Sequence, residues 1–466
     1  MRSFTDGRCQ SQISFLRRQF LQGDDLPFGD VLSKKAVSQA LATSGVVWKQ
    51  RVYSPLVTLW VFLGQVLSAD HSCRSAVARL IAHRVAQGEF MCSAETGAYC
   101  QARKRLPEKF FSTVARLVGR ELDVQAPSDW LWKGRRVYLF DGSTVSMPDT
   151  PANQDAYPQH DAQRPGLGFP IARIAAIFSL SCGAILDLGV CRYAGKGQGE
   201  LSVFRLLLDF FRPGDVVLTD RLYCTWRELL TLQERGVDSV SQLQVNRKAD
   251  FRKGRRLGKG DHLVRWPKPS PIRSLDLPAY RALPDSITVR ECRVIVGQAG
   301  FRNKEVIVVT TLLDPEEFTK DDLATLYRAR WNAELDLRSI KTTMQMEVLR
   351  CKTPELVRKE IWTHVLAYNL IRTVMAQAAN QHALLPRSIS FKAAIQTLEA
   401  FQPLIACCSR LRDRAYEQLL ACIATHTVGD RPGRFEPRQV KRRPKRYQWM
   451  MEPRCETKLL LLTQLA

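Results

Sequence analysis

Val137-Tyr-Leu-Phe140 is an apolar run that leads directly into Asp141-Gly142-Ser143, and Thr144-Val-Ser-Met147 follows with period-2 alternation. The pattern predicts a buried strand carrying an acid at its carboxyl end, with Gly142-Ser143 turning the backbone away. Further along, Val216-Val-Leu218 repeats the arrangement and ends at Thr219-Asp220. Acids at the carboxyl ends of buried strands are frequent at ligand sites of α/β sheets. For either Asp alone, a turn or a helix N-cap is the more ordinary explanation.

Around these two segments, Ile171–Leu180 and Ala184–Cys191 read as strands flanking a Cys182-Gly183 turn, and Glu200–Phe211 reads as an amphipathic helix. Residues 1 to 125 carry helical apolar stripes, such as Val57, Trp60, Leu63 and Val66. From 246 to 305 the chain becomes rich in Arg, Lys, Gly and Pro, with short β-like pieces, before Val306–Leu312 resumes a core strand. One long helix is expected over Asp321–Met346 and another over Pro354–Ala379, followed by a basic stretch from Arg431 to Arg446. The order is helical, βββαβαβ, β-rich insertion, long helix, helix, basic tail. That is an α/β chain.

The chain has 466 residues, with 69 Lys+Arg against 46 Asp+Glu, a net charge of +23. Its 45% hydrophobic content supplies ordinary cores and excludes a wholly disordered basic polypeptide. A surplus of this size attracts polyanions, with nucleic acid first among them; a merely cationic enzyme is the alternative. The 13 cysteines form no CxxC pair, which argues against a zinc ribbon and for reduced thiols. No apolar segment follows Arg17-Arg18, and Leu56–Leu67 is too short to span a bilayer. A cytoplasmic protein without membrane contact is expected.

A third acid is selected by spacing. On one continuous helix Tyr327, Arg330, Glu334 and Lys341 would share an arc of roughly 60°, with Asp336 on the opposite side. One acid among two cations and a phenol suits a metal carboxylate flanked by phosphate binders. A solvated face with an Arg330–Glu334 ion pair is the alternative. Asp141, Asp220 and Glu334 together could cage two divalent ions roughly 3.5–4 Å apart for phosphoryl transfer. Neither GxSxG, nor a phosphate-binding GxxxxGK[ST] loop, nor an HExxH cluster occurs.

The spacing Tyr327-x2-Arg330-x3-Glu334-x6-Lys341 matches the YREK signature, so the chain resembles IS4-family bacterial insertion-sequence transposases. Asp141-Gly142-Ser143 and Thr219-Asp220-Arg221-x-Tyr223 are similar to that family's segments around its first and second catalytic aspartates. Ser93–Pro107, Tyr157–Pro170 and Arg431–Lys445 resemble further family blocks, and the likeness spans about residues 50–450.

The resemblance implies an RNase H-like catalytic core interrupted by a β-rich insertion, with helical N- and C-terminal regions. On that basis residues 1–125 are a helical region binding transposon ends, and 126–245 the first part of the core. Residues 246–305 are the basic insertion, 306–380 the second part with its Glu-bearing helix, and 381–466 a helical and basic region for DNA contact or dimerisation. Asp141, Asp220 and Glu334 would bind two Mg²⁺ ions, with Mn²⁺ as a substitute. Arg330 and Lys341 would hold phosphates of the transposon end, with Tyr327 beside them. The enzyme would cut double-stranded DNA at terminal inverted repeats and join the 3′-hydroxyl to target DNA, acting as a homodimer on paired ends. Some relatives pass through a hairpin with a flipped base, and Trp266 is the candidate aromatic platform, a core Trp being the alternative. Relatives carry an Arg where this chain has Gln242, which puts a phosphate contact in doubt.

Arg247, Arg252, Arg255 and Arg256 in the insertion, and Arg442 and Arg443 in the tail, are expected to contact DNA without reading its sequence. Sequence reading is expected of the N-terminal helices, including Tyr99, Arg103 and Arg105, with a core role open for Tyr99. An RNase H-like nuclease without strand transfer, or a non-catalytic DNA-binding protein, would share much of this composition.

Overall fold

The computed structural model describes residues 34–47, 51–86, 88, 90–270, 277–296, 304–407, 412–428 and 451–464. Arg442 and Arg443, with the remainder of the basic stretch 431–446, lie outside them.

Among the described residues five helices come first: α1 (Lys34–Ser44), α2 (Pro55–Val66), α3 (Cys73–Ala86), α4 (Gly97–Arg105) and α5 (Glu108–Val124). Pro55 opens α2 at a position where a missing N–H costs nothing, and Ser54 Oγ accepts from the Val57 N–H. Apolar residues cover nearly all of α2, so it runs through the core. Along α5, Phe110, Phe111, Val114, Val118 and Leu122 recur at helical spacing and are buried.

The sheet begins with β1 (Val137–Ser146), which is followed by the short helix α6 (Pro151–Ala156), then β2 (Ile171–Ser179) and β3 (Ile185–Arg192). Gly183 takes a positive φ of 81° in the β2–β3 turn. Next come α7 (Glu200–Leu206), β4 (Val216–Leu218), α8 (Trp226–Glu234) and β5 (Asp238–Gln242). The helix expected over Glu200–Phe211 relaxes into a 3₁₀ turn at Leu208–Phe210. β6 (Arg255–Gly258), β7 (Asp261–Pro267), α9 (Leu277–Ala282), β8 (Ser286–Val296) and β9 (Lys304–Thr310) follow.

The nine strands among the described residues form one sheet in the order β3-β2-β1-β4-β5-β9-β8-β7-β6. β1, β4 and β5 are parallel, and the remaining pairings are antiparallel. The strands of the 246–305 stretch therefore continue the sheet through β9, which pairs with β5 on one side and β8 on the other.

α10 (Lys320–Arg328) starts with a reciprocal cap between Thr319 and Asp322. The single helix expected from Asp321 to Met346 is broken. α10 ends at Arg328, α11 spans Trp331–Arg338, and a π turn covers Ser339–Thr343. At the first break the N–H groups of Arg330 and Ala333 bond three residues back, to Tyr327 and Arg330, and Asn332 Nδ2 donates to the Ala329 carbonyl at 2.9 Å. That tightened turn, and the widened one after α11, change the helical phase, so the arc drawn for one straight helix does not apply.

α12 (Pro354–Gln381) is the central buried helix, and α13 (Phe391–Cys407), α14 (Arg412–Thr425) and α15 (Arg454–Gln464) complete the described chain. α5 packs closely on α12 because Gly119 has no side chain: a Cβ there would stand 2.7 Å from Asn369 Nδ2. Asn369 in turn accepts from the Ile185 N–H at 2.8 Å, which joins helix and sheet. No described helix is long and apolar enough to cross a membrane.

Candidate active site

β1 does not turn at Asp141. It continues to Ser146 because β2 supplies backbone partners along its length, with Asp141 opposite Ala176. The parallel neighbour β4 stops at Leu218, opposite Leu139. Asp141 thus lies just past the last parallel pair, and Asp220 stands two residues beyond β4. The expected strand end is the end of the neighbouring ladder, not of β1.

Alternation along β1 sends Leu139, Asp141 and Ser143 to one face of the sheet and Phe140 and Gly142 to the other. The broken helix comes to the Asp141 face. Arg330 donates to Glu334 at 2.7 Å and reaches within 4.0 Å of Asp141. Lys341, carried on the π turn, donates to Ser143 Oγ at 2.8 Å. Tyr327 is buried and donates its hydroxyl to Gln242 Oε1 on β5 at 3.2 Å. Asp336, by contrast, is fully buried, with Arg372 on one carboxylate oxygen and Arg387 on the other. It is a core ion.

Burial pushes the Asp141 carboxyl up to about 6, and the charges of Asp220 and Glu334 add to the rise. The Gly142 N–H, 2.8 Å from Oδ1, and the Arg330 guanidinium oppose it. Burial also raises Asp220, against the Leu222 N–H at 2.8 Å and Arg330, with Glu200 adding to the rise. Tyr327 is pushed up to about 12 by burial, so its phenol stays protonated.

Three carboxylates from separate segments are the hard oxygen donors that a divalent ion of the Mg²⁺ class takes. Asp141 is held up first by burial and then by Asp220 and Glu334, a setting that a cation beside it would relieve, so the chemistry of this donor set fits such an ion. Arg330 is interposed between Asp141 and Glu334, and among the described residues no three His, Cys, Asp or Glu side chains are gathered closely enough to form a ligand cluster.

Other expected contacts fall elsewhere. Trp266 is buried: its indole N–H donates to Glu291 at 2.8 Å, and Arg247 covers its ring at 4.0 Å. No ring face is left for a base, so the platform expectation gives way to the core alternative. Arg252 is exposed but paired with Asp250 at 2.9 Å, while Arg255 and Arg256 are exposed on the edge strand β6. Tyr99 and Arg103 are buried together beside Gln65, and only Arg105 of that trio is exposed.

Sequence reading passed over Ser143 and Glu200. Ser143 had a signal, since period 2 places it on the Asp141 face. Glu200 had none beyond opening a helix after a strand.

With this geometry in place, the comparisons with known proteins are specific. The family described as "Transposase DDE domain" matches residues 132–370, more than half of the chain. The chain belongs to the DDE transposase family. It is 28% identical over 431 residues to the transposase InsG of insertion sequence IS4 from Escherichia coli strain K12, covering 90% of this chain and 92% of that protein. The transposase of insertion sequence IS421 from Escherichia coli is 28% identical over 273 residues, 56% of this chain and 71% of that protein. The IS4-family membership expected from the YREK spacing holds. A synaptic complex of piggyBac transposase with hairpin DNA covers 91% of this chain and 86% of its own at TM-score 0.41 and 9% identity, too remote a likeness to bear on the site. This transposase is an enzyme, and dependence on divalent metal comes with the family.

Proposed function

We propose that this transposase binds the terminal inverted repeats of its element, cuts the DNA at their ends and joins the exposed 3′-hydroxyl to target DNA. The placing of Asp141 and Glu334 on either side of Arg330, with Asp220 close enough for its charge to act on Asp141 and for that of Arg330 to act on it, at the point where β1 outruns β4, carries the reading. An RNase H-like core is supported by the five strands β3-β2-β1-β4-β5, with an antiparallel hairpin beside three parallel strands.

Asp141, Asp220 and Glu334 would hold two Mg²⁺ ions, Mn²⁺ substituting, and these would activate the attacking oxygen and stabilise the leaving one. Arg330 and Lys341 bind phosphates of the transposon end, a task for which Arg330 exchanges its bond to Glu334 for one to DNA. Tyr327 supports Arg330 from below. Arg255 and Arg256, on the exposed edge of the insertion, follow the duplex backbone, with Arg247 and Arg252 behind them. Arg442 and Arg443 add non-specific contacts. Residues 1–125 recognise the ends, the core spans 126–245 and 306–380 around the 246–305 insertion, and 381–466 serves DNA contact or dimerisation. Pairing two ends requires two active sites, hence a homodimer on DNA.

Purified protein incubated with a labelled terminal repeat, target plasmid and Mg²⁺ tests this. Cut ends together with joined product are expected, and a hairpin on the element end would reveal the second-strand route. Cutting without joining supports a nuclease, and shifted but uncut DNA supports a binding module. Unchanged cutting and joining by Glu334→Ala would overturn the assignment.

A further inference from the structure

On the face of the sheet opposite the Asp141 side chain, Glu200 at the start of α7 lies directly beneath the catalytic strand. A Cβ on Gly142 would stand 2.7 Å from Glu200 Cδ, so only glycine leaves room for this carboxylate. Its Oε1 accepts from Arg173 on β2 at 2.7 Å, and its Oε2 accepts from the Tyr223 hydroxyl at 3.2 Å. Tyr223 is three residues after Asp220 and packs edge-on against Phe140, the residue before Asp141, at 5.2 Å. Phe204, on α7 with Glu200, closes the group against both rings, 4.9 Å from Phe140 and 5.3 Å from Tyr223. One side chain therefore touches β1 beside the first aspartate, β2 behind it, and the loop that carries the second.

We propose that Glu200 is a positioning residue, which locks the Asp220 loop to β1 through Tyr223 and Gly142 and so sets the relation of the two aspartates. The inference rests on the reading of Asp141 and Asp220 as metal-holding acids. Glu200 acts through the backbone and Tyr223 and does not touch the reacting atoms. Ligands whose supporting hydrogen bonds are removed lose about 10–100-fold in metal affinity, and a comparable loss is expected here.

Mn²⁺ binding to the DNA-free full-length protein, followed by electron paramagnetic resonance of free Mn²⁺, tests it beside the Mn²⁺ dependence of end cutting. Wild type, Glu200→Ala, Glu200→Gln, Tyr223→Phe and Asp141→Asn are compared, with thermal melts as the folding control. Glu200→Ala and Tyr223→Phe should need at least about tenfold more Mn²⁺, with cutting recovered at saturation, and Glu200→Gln should recover part of the loss. Should Glu200→Ala fail to fold, Tyr223→Phe, which removes only the hydroxyl, decides the matter. A folded Glu200→Ala or Tyr223→Phe with wild-type Mn²⁺ binding and cutting would overturn the proposal. Wild-type Mn²⁺ binding by Asp141→Asn would instead overturn the metal assignment itself.

Discussion

Arg330 donates to Glu334 at 2.7 Å while standing 4.0 Å from Asp141, so one guanidinium is the near counter-charge for two acids from distant parts of the chain. Its own proton is held more tightly than usual: burial works against the charge, but Tyr327, Glu334 and Asp141 outweigh it. Arg330→Gln should therefore fold yet lose about 10²–10³ in end-cutting rate, the usual cost of removing one preorganised charge donor. Single-turnover cutting at saturating DNA measures this. A loss confined to DNA affinity would mean that Arg330 only binds.

The Asp141 carboxyl titrates at about 6 in the folded chain, against an ordinary 3.8. A raised carboxyl favours folding fully below its unfolded value, and that contribution is lost as pH rises through 6. Asp141→Asn cannot ionise, so in chelator at about pH 8 it should be more stable than wild type by on the order of 2–3 kcal/mol. The difference should shrink through about pH 6 and vanish by about pH 3. Thermal melts across that range check both sign and window, and equal melting at high pH would contradict the buried, acid-crowded setting of Asp141.

Gln242 accepts the Tyr327 hydroxyl at the end of β5, beside the proposed phosphate contacts. Gln242→Arg adds a cation there. It should tighten end binding and steepen its dependence on salt by about one counterion. Filter binding over a salt series reads the slope, and an unchanged slope would place residue 242 away from DNA.

Trp266→Phe should leave Glu291 short of a donor and destabilise the fold by about 1–3 kcal/mol. End binding and hairpin formation, measured below the melting temperature, should stay at wild-type levels. Loss of hairpin alone would restore Trp266 as a platform.

Asp336→Asn weakens the partner of two guanidiniums, the buried Arg372 and the half-buried Arg387. A cost of about 3–5 kcal/mol is expected, because both cations keep their burial and lose their counter-charge. Urea unfolding of Asp336→Asn beside Glu334→Gln separates the two acids of α11: the first should lose stability, the second activity.

The acids and the strands that carry them were legible because strand-forming runs and helical spacing are local signals. Val137–Phe140 and Val216–Leu218 formed strands as read, and Arg330 pairs with Glu334 as the i,i+4 spacing allows. Whether β1 would stop at Asp141 was not legible, since that depends on β2, a partner distant in sequence, offering hydrogen bonds as far as Ser146. The helix break at Ala329–Arg330 was hidden for a similar reason. Its residues are ordinary helix formers, and i→i−3 bonding leaves no mark on composition. Resemblance offers Trp266 as a hairpin platform, with a core Trp as the alternative; its buried partner Glu291 lies on the neighbouring strand, a long-range contact that the local sequence does not show. Glu200 was invisible because its importance comes from Gly142, a residue with no side chain.

The shared strand β9 has a mechanical consequence. Because it is bonded to β5 and to β8, the basic edge at Arg255 and Arg256 is joined to Asp141 through a continuous series of backbone ladders. The DNA contact proposed at that edge would be made on the same sheet that carries the acids. On the proposed reading, strand spacing would set how far along the duplex the cut falls from that contact, much as the pitch of a comb sets the distance between its teeth.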